Sequence, residues 1–147
     1  MNKVITIDGP SASGKGTLAI LLADKLNWKI LDSGALYRAF AYFSISENDQ
    51  KLIEENLRTI SFNIVDNSIQ VLFKNEDISR HLRTEETAIQ ASKLSSLSST
   101  REILLPIQRF FSETSNLIAD GRDMGSVVFP DANLKFFLDA APEVRAK

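Results

Sequence analysis

The stretch VITIDGPSASGKGT, residues 4–17, decides the fold of this chain. Its apolar, β-branched start at residues 4–7 predicts a short buried strand of a parallel sheet. A turn rich in glycine and serine follows, and apolar residues then recur at helical spacing from Thr17 to Leu26. Because a strand, a glycine turn and a helix in this order open a βαβ unit, the sequence predicts an α/β protein.

The turn has the spacing G-x-x-x-x-G-K, which suits a phosphate group. Its two glycines let the backbone curl without Cβ clashes, and the N–H groups then face inward as an anion nest. The N-terminus of the helix and the ammonium group of Lys15 add positive charge at the same place. We therefore expect this loop to bind the phosphates of ATP. The candidate ATP-binding residues are Gly9, Pro10, Ser11, Ala12, Ser13, Gly14, Lys15, Gly16 and Thr17.

Magnesium is the cofactor expected with ATP. Most loops of this type place Ser or Thr directly after the lysine, where the hydroxyl contacts the ion, but here that position is Gly16. We therefore expect no direct protein ligand. Either Thr17 contacts a phosphate, or the ion is held through phosphate oxygens and through water near Thr17 and Asp120. Asp120 ends a later predicted strand. It either holds such a water or bonds to a group of the phosphate loop.

Further strand and helix patterns extend this frame. Short apolar runs predict three strands, at residues 29–31, 117–119 and 134–138. Helical spacing predicts two helices, at about residues 35–44 and 48–58. Pro142 is expected in the first turn of another helix. Successive βα units predict a three-layer core with a parallel sheet, and residues 1–147 are interpreted as one domain.

The middle of the chain has a different pattern, which predicts an insertion at about residues 60–115. Two stretches of alternating apolar and polar residues flank Asp66 and Asn67, which predicts a β-hairpin whose turn tolerates positive φ angles. Two helical patterns follow, at about residues 84–97 and 100–113.

The second of these inserted helices carries two local signals. Ser99 and Glu102 have the spacing of a capping box, which predicts a helix start at Ser99. Pro106 lies inside the helical pattern and is expected to kink it, because proline cannot donate a backbone hydrogen bond.

Composition excludes several classes of function. The formal net charge of −2 argues against a general nucleic-acid-binding surface, so we expect no nucleic acid partner. The chain has no cysteine, which excludes disulfides and thiolate metal sites. No apolar run approaches the roughly 20 residues of a membrane span, and the first apolar run is too short for a signal peptide. We expect a cytoplasmic monomer with no membrane partner.

Three stretches resemble one enzyme family. The Gly-Lys-Gly-Thr ending of the loop is similar to that of nucleoside monophosphate kinases. The stretches LDSGALYR, residues 31–38, and DGRDMGSVVFPDA, residues 120–132, resemble two signatures of the cytidylate kinases within that group, although Thr is common there at the position of Ser126. The resemblance implies a P-loop kinase core in which the insertion at about residues 60–115 binds CMP.

The resemblance also implies which residues act. The enzyme would transfer the γ-phosphoryl group of ATP to CMP, and also to dCMP. Lys15 and Arg122 would be catalytic, since phosphoryl transfer needs cations around the moving group. Arg38 and Arg122 would hold the CMP phosphate, because the planar guanidinium pairs bidentately with phosphate. The CMP-binding residues carried over from the family are Ser33, Arg38, Ser92, Arg101, Arg122 and Asp123. Among them, Ser33 resembles a contact to the phosphate or to the ribose.

Base selection follows from the cytosine edge. Cytosine offers an N4 amine donor beside the N3 and O2 acceptors, so a carboxylate facing N4 and a guanidinium facing N3 or O2 complement it. Asp123 and Arg101 are that pair by resemblance. Uracil would turn its O4 acceptor toward Asp123, and buried mismatches of this type discriminate strongly. Ser92 is the weakest member of the set, because several other serines lie close to it.

Other interpretations remain open at this level. Within the class, the acceptor is alternatively UMP or AMP. A nucleotide-binding switch without catalysis is disfavoured by Ser33, Arg38 and Arg122, since a switch needs no second anion pocket.

Family members also continue into an arginine-rich lid, a last strand and a closing helix. We therefore expect residues 1–147 alone to be a fragment that binds nucleotides weakly and turns over slowly.

Two further polar residues are expected to have no catalytic role. Asp8 ends the first predicted strand and is expected to be structural. His81 is the single histidine of the chain, lies in a charged stretch, and is expected to be solvated.

Overall fold

The computed structural model describes residues 2–10 and 13–139. Ser11 and Ala12 of the predicted phosphate loop, and the helix predicted to start near Pro142, lie outside the described residues. The α/β prediction is confirmed, because helices pack on a parallel sheet of four strands.

The central sheet has the strand order β2-β6-β1-β7, and every neighbouring pair is parallel. Its strands are β1 (Val4–Asp8), β2 (Lys29–Asp32), β6 (Leu117–Gly121) and β7 (Leu134–Phe137). All residues of β1 and β6 are buried, as expected for the inner strands of a parallel sheet, whereas all residues of β7 are exposed. The carboxyl ends of β1 and β6 lie side by side, with Asp8 opposite Gly121.

Three helices connect the first half of the chain. They are α1 (Lys15–Leu26), α2 (Ser33–Ser46) and α3 (Gln50–Arg58). The Asp32 side chain accepts a hydrogen bond from the Ala35 N–H, and Asp49 accepts from the N–H groups of Lys51 and Leu52, so α2 and α3 begin at capped N-termini. The predicted helices agree with these three elements, although α1 begins two residues earlier than predicted.

A second, antiparallel sheet follows, with the strand order β3-β4-β5. Its strands are β3 (Ser61–Val65), β4 (Ser68–Phe73) and β5 (Glu76–Asp77). The turn between β3 and β4 has Asp66 at φ 51° and Asn67 at φ 60°, which confirms the predicted hairpin and its positive φ angles. A second turn of the same kind, at Lys74 and Asn75, was not predicted.

Three helices complete this middle segment: α4 (Ser79–Leu82), α5 (Glu85–Ser95) and α6 (Ser98–Phe110). Helix α5 packs on α2, and α6 packs on α3. The predicted capping box of α6 is wrong. The helix starts at Ser98 with Leu97 as N-cap and no side-chain capping bond, so Ser99 lies inside the first turn. The helix runs through Pro106, whose side chain is exposed.

One short element was not predicted at all. A π-helical turn, Met124–Val128, follows β6 in a stretch for which no secondary structure was predicted. Both carboxylate oxygens of Asp8 accept hydrogen bonds of 2.8 Å at its start, from the N–H groups of Met124 and Gly125. The structural role expected for Asp8 is therefore confirmed. The turn is thus stabilised by hydrogen bonds to a residue that lies more than a hundred positions earlier in the chain.

The core lies between the central sheet and the helices, and Ile7, Leu31, Leu36 and Ile118 are among its fully buried members. In the part of the chain that the structure describes, no helix is long and apolar enough to cross a membrane.

Candidate functional site

The phosphate loop joins the end of β1 to the start of α1. Gly9 has φ 152°, and a Cβ built there would collide with the carbonyl oxygen of Leu138. Gly14 is the N-cap of α1 and has φ 82°, a left-handed conformation that favours glycine. Ser13 donates hydrogen bonds from its N–H and its hydroxyl to the Pro10 carbonyl, at 3.2 and 2.7 Å. Both glycines therefore occupy positions that a side chain would disturb.

Lys15 and Asp120 form an ion pair at the mouth of this loop. The Nζ atom of Lys15 lies 2.7 Å from Oδ1 of Asp120, and the two side chains are 18% and 6% exposed. Burial raises the pKa of the Asp120 carboxyl above its ordinary value, and the hydrogen bond and charge of Lys15 oppose that rise. Asp120 was expected either to hold a water on magnesium or to bond to a group of the phosphate loop, and the structure contains the second of these, the bond to Lys15.

The side-chain oxygens near Asp120 indicate how Mg²⁺ could be bound. Among residues 2–10 and 13–139, no group of three or more His, Cys, Asp or Glu side chains could hold a metal ion. A Cβ at Gly16 would lie 3.8 Å from Oδ2 of Asp120, so that carboxylate lies above the first turn of α1. Thr17 is exposed on the same turn. One carboxylate and one nearby hydroxyl fit an ion that keeps most of its waters and takes its other ligands from phosphate.

A cleft of about 810 Å³ opens beside the loop. It contains every residue that the sequence assigned to CMP together with the lysine of the loop. Its lining includes Lys15, Ser33, Arg38, Ser92, Arg101, Arg122 and Asp123. These residues come from α1, α2, α5, α6 and the segment directly after β6, so widely separated parts of the chain contribute to one site.

A larger cavity, of about 980 Å³, carries none of the predicted site residues. It lies at the opposite end of β1, where Lys3, Arg109 and Asn133 are among its lining residues. In parallel α/β sheets ligands bind at the carboxyl ends of the strands, so the smaller cleft is the candidate site.

The segment that carries Arg122 and Asp123 is fixed from both sides. Asp8 binds the N–H groups at the start of the π-helical turn, as described above. At its end, Arg109 donates hydrogen bonds of 3.1 and 2.9 Å to the carbonyl oxygens of Val127 and Val128. The turn is therefore anchored by β1 and by α6, and it holds Asp123 at the edge of the cleft.

Tyr37 is a cleft residue that the sequence analysis missed. Burial is the main cause that raises the pKa of its hydroxyl above the ordinary value of 10, the negative charge of Asp123 adds to the rise, and Arg101 opposes it. The phenol is thus close to both charged residues assigned to the base. Two sequence signals could have found it: its position directly before Arg38, and its place in the stretch LDSGALYR that resembles a family signature.

Ser33 and Gln108 form a second polar contact that was missed. The Ser33 hydroxyl donates a hydrogen bond of 2.9 Å to Oε1 of Gln108, and the two residues are only 6% and 3% exposed. Gly121 packs against Ser33, since a Cβ built there would lie 3.2 Å from the Ser33 Cβ. Ser33 is thus held between β6 and α6.

His81 lies outside the cleft lining. It is exposed, but its ring stacks on Tyr42, with centroids 5.2 Å apart and an angle of 14° between the planes. The expectation of a merely solvated residue is therefore incomplete, because the imidazole packs α4 against α2.

Comparisons with known proteins identify the family to which this chain belongs. A sequence model described as "Cytidylate kinase" matches residues 5–147. A cytidylate kinase of Aeromonas salmonicida is 49% identical over 155 residues, which cover 100% of this chain and 66% of that protein. For a cytidylate kinase of Photobacterium profundum the identity is 48%, over 97% of this chain and 65% of the relative.

A third relative, a cytidylate kinase of Pseudomonas putida, is 49% identical over 98% of this chain and 67% of its own length. The chain thus spans about two thirds of the length of the curated relatives that it matches. The match of the family model covers nearly all of the chain, and it includes the phosphate loop and the segment after β6. The chain therefore belongs to the cytidylate kinase family.

Proposed function

We propose that this protein transfers the γ-phosphoryl group of ATP to CMP, and also to dCMP, and so produces ADP and CDP or dCDP. The observation that carries the proposal is the shared cleft, in which the lysine of a phosphate loop lies together with two arginines and with a carboxylate suited to cytosine. The names of the relatives, all cytidylate kinases, support the same reaction.

Binding of ATP is assigned to the loop from Gly9 to Thr17. Gly14 has a left-handed conformation with no neighbouring heavy atom within 4 Å of a Cβ built there, which leaves the backbone open to a phosphate, and α1 directs its N-terminus at the same place. Lys15 would leave Asp120 or bridge between Asp120 and the phosphates, because its side chain is long and partly exposed. Mg²⁺ bound with ATP would neutralise charge on the phosphates, with Asp120 and Thr17 reached through water.

Binding of the acceptor phosphate is assigned to Arg38 and Arg122. Both line the cleft beside Lys15, so three cations surround the space between donor and acceptor. Phosphoryl transfer needs this arrangement more than it needs an acid or a base, because the charge of the moving group is spread over its oxygens. The arginines can also align the acceptor oxygen, since each holds a phosphate at two points.

Recognition of the base is assigned to Ser92, Arg101 and Asp123. The shared influence of Asp123 and Arg101 on Tyr37 supports their closeness. A carboxylate acceptor beside a guanidinium donor complements the N4, N3 and O2 pattern of cytosine and opposes that of uracil. The proposal therefore favours CMP over UMP and AMP as the acceptor.

The test is a panel of CMP, dCMP, UMP and AMP, in which affinity is measured by calorimetry and transfer by a coupled ADP assay. We expect CMP to bind more tightly than UMP, and Asp123→Asn to reduce that preference roughly tenfold to a hundredfold, the effect of losing a buried polar partner. Asp131→Asn is the matched control, because Asp131 is exposed. An unchanged preference in Asp123→Asn would contradict the assignment of the base.

A further inference from the structure

Gln108 is a buried polar residue to which the proposed reaction gives no role. It lies on α6, and only 3% of its surface is exposed. Its Oε1 accepts the hydroxyl proton of Ser33, a residue 75 positions away that lines the cleft. Gly121 limits the space around the Ser33 Cβ. The hydrogen bond holds the Ser33 oxygen beside Gln108, while the hydroxyl proton can change direction by rotating about the Cβ–Oγ bond.

That direction matters because of the charge of the ligand. The cleft is lined by Lys15, Arg38 and Arg122, so it suits an anion. A phosphate oxygen only accepts hydrogen bonds. A hydroxyl that gives its single proton to Gln108 turns lone pairs toward the cleft and would repel such an oxygen.

The amide of Gln108 can resolve this conflict. Its oxygen accepts and its nitrogen donates, and the two ends have nearly the same shape. We propose that Gln108 is a positioning residue that presents Nε2 to Ser33, so that the Ser33 hydroxyl donates its proton to the phosphate of the acceptor nucleotide. This inference rests on the proposed function, and it gives the inserted helix α6 a role in phosphate binding in addition to the base recognition assigned to Arg101.

Two substitutions of similar size separate this role from packing. Gln108→Glu introduces a group that, when ionised, only accepts, so it holds the Ser33 proton away from the cleft. Gln108→Met keeps a long side chain without a strong donor or acceptor, which leaves the hydroxyl free to rotate. We expect Gln108→Glu to weaken CMP binding roughly tenfold to a hundredfold, and Gln108→Met to cause a clearly smaller loss.

The experiment compares CMP with cytidine, which has the same base and sugar but no phosphate, by calorimetry on the full chain. Gln108→Glu should lower affinity for CMP and leave affinity for cytidine within about threefold, because one hydrogen bond to the phosphate is lost. Gln50→Glu is the matched control, since Gln50 is exposed on α3. Equal losses for CMP and cytidine, or equal losses in Gln108→Glu and Gln108→Met, would overturn the proposal.

A double-mutant cycle with Ser33→Ala removes the direct effect of the new charge. If Gln108 acts through Ser33, the loss caused by Gln108→Glu is smaller in the Ser33→Ala background. An unchanged loss would mean that the charge acts on the phosphate directly, which contradicts the proposal.

Should Gln108→Glu fail to fold, the unmodified protein gives the same answer by NMR. The side-chain amide signals of Gln108, assigned by their absence in Gln108→Met, should shift on addition of CMP but not in Ser33→Ala. No shift, or the same shift in both proteins, would overturn the inference. Failure of the unmodified protein to bind CMP would instead contradict the proposed function itself.

Discussion

Replacement of Asp8 by asparagine tests the link between the sheet and the candidate site. The residue is 7% exposed, and its carboxylate accepts two backbone hydrogen bonds of 2.8 Å, from Met124 and Gly125. Asparagine keeps the shape but offers one oxygen, so its NH₂ group must face the other N–H. A hydrogen bond to a charged group contributes about 1.5–3 kcal/mol, and the unpaired N–H adds to the cost. We expect a loss of about 2–4 kcal/mol in the free energy of unfolding.

The assay is urea unfolding followed by circular dichroism and by the fluorescence of Trp28. With a urea dependence of about 2 kcal/mol per molar, the middle of the range for small proteins, the midpoint should fall by roughly 1–2 M. CMP affinity should fall more than ATP affinity, because the turn that Asp8 holds follows Asp123 directly. Asp24→Asn makes the same change at an exposed position and is the control. A midpoint within about 0.3 M of the unmodified protein would refute the reasoning.

Three further outcomes are expected. Thr6→Val should be neutral or stabilising in urea unfolding by up to about 1 kcal/mol, because the Thr6 hydroxyl is the one buried side-chain polar atom without a partner in the described part of the chain. Lys15→Met should lower ATP affinity and raise the pKa of Asp120 further, since the raising effect of burial is then unopposed. A raised carboxyl pKa costs stability as the pH rises above the ordinary value of 3.8. The stability lost in Lys15→Met should therefore grow along a pH series that starts below 3.8, and this pH dependence should disappear when Asp120→Asn is added. Asp123→Asn should bring the pKa of Tyr37 closer to 10. It is measured as the difference in ultraviolet titration between each protein and its Tyr37→Phe variant, and an unchanged titration would mean that the Asp123 carboxylate lies too far from the phenol to affect it.

Most of the central fold could be predicted because its signals are local. The β-branched run before Gly9, the glycine turn and the apolar spacing of α1 are all contained in two dozen residues. The hairpin at Asp66 and Asn67 was equally local, since the turn chemistry lies between two alternating strands. The start of α6 was placed at Ser99 for the same reason, but there the chain enters the helix one residue earlier, without a side-chain cap.

Features that depend on distant contacts could not be predicted. The π-helical turn has no pattern of its own, because it is stabilised by Asp8 from the other end of the chain. Gln108 is also invisible to a local interpretation, since its partner Ser33 belongs to another helix. The candidate cleft residues were accessible only because the segments around residues 31–38 and 120–132 resemble family signatures.

The strand order of the central sheet has a consequence for synthesis. Strand β1 pairs with β6 and β7, and β2 pairs with β6, so β1 and β2 are not neighbours in the sheet. At about 5–20 residues per second, a ribosome needs roughly ten seconds to proceed from β2 to β6. During that time VITID, which is buried at every position in the finished sheet, has no native partner strand. Until β6 has been synthesised, the nascent chain thus leaves this apolar strand unpaired, and an unpaired apolar strand is open to non-native association.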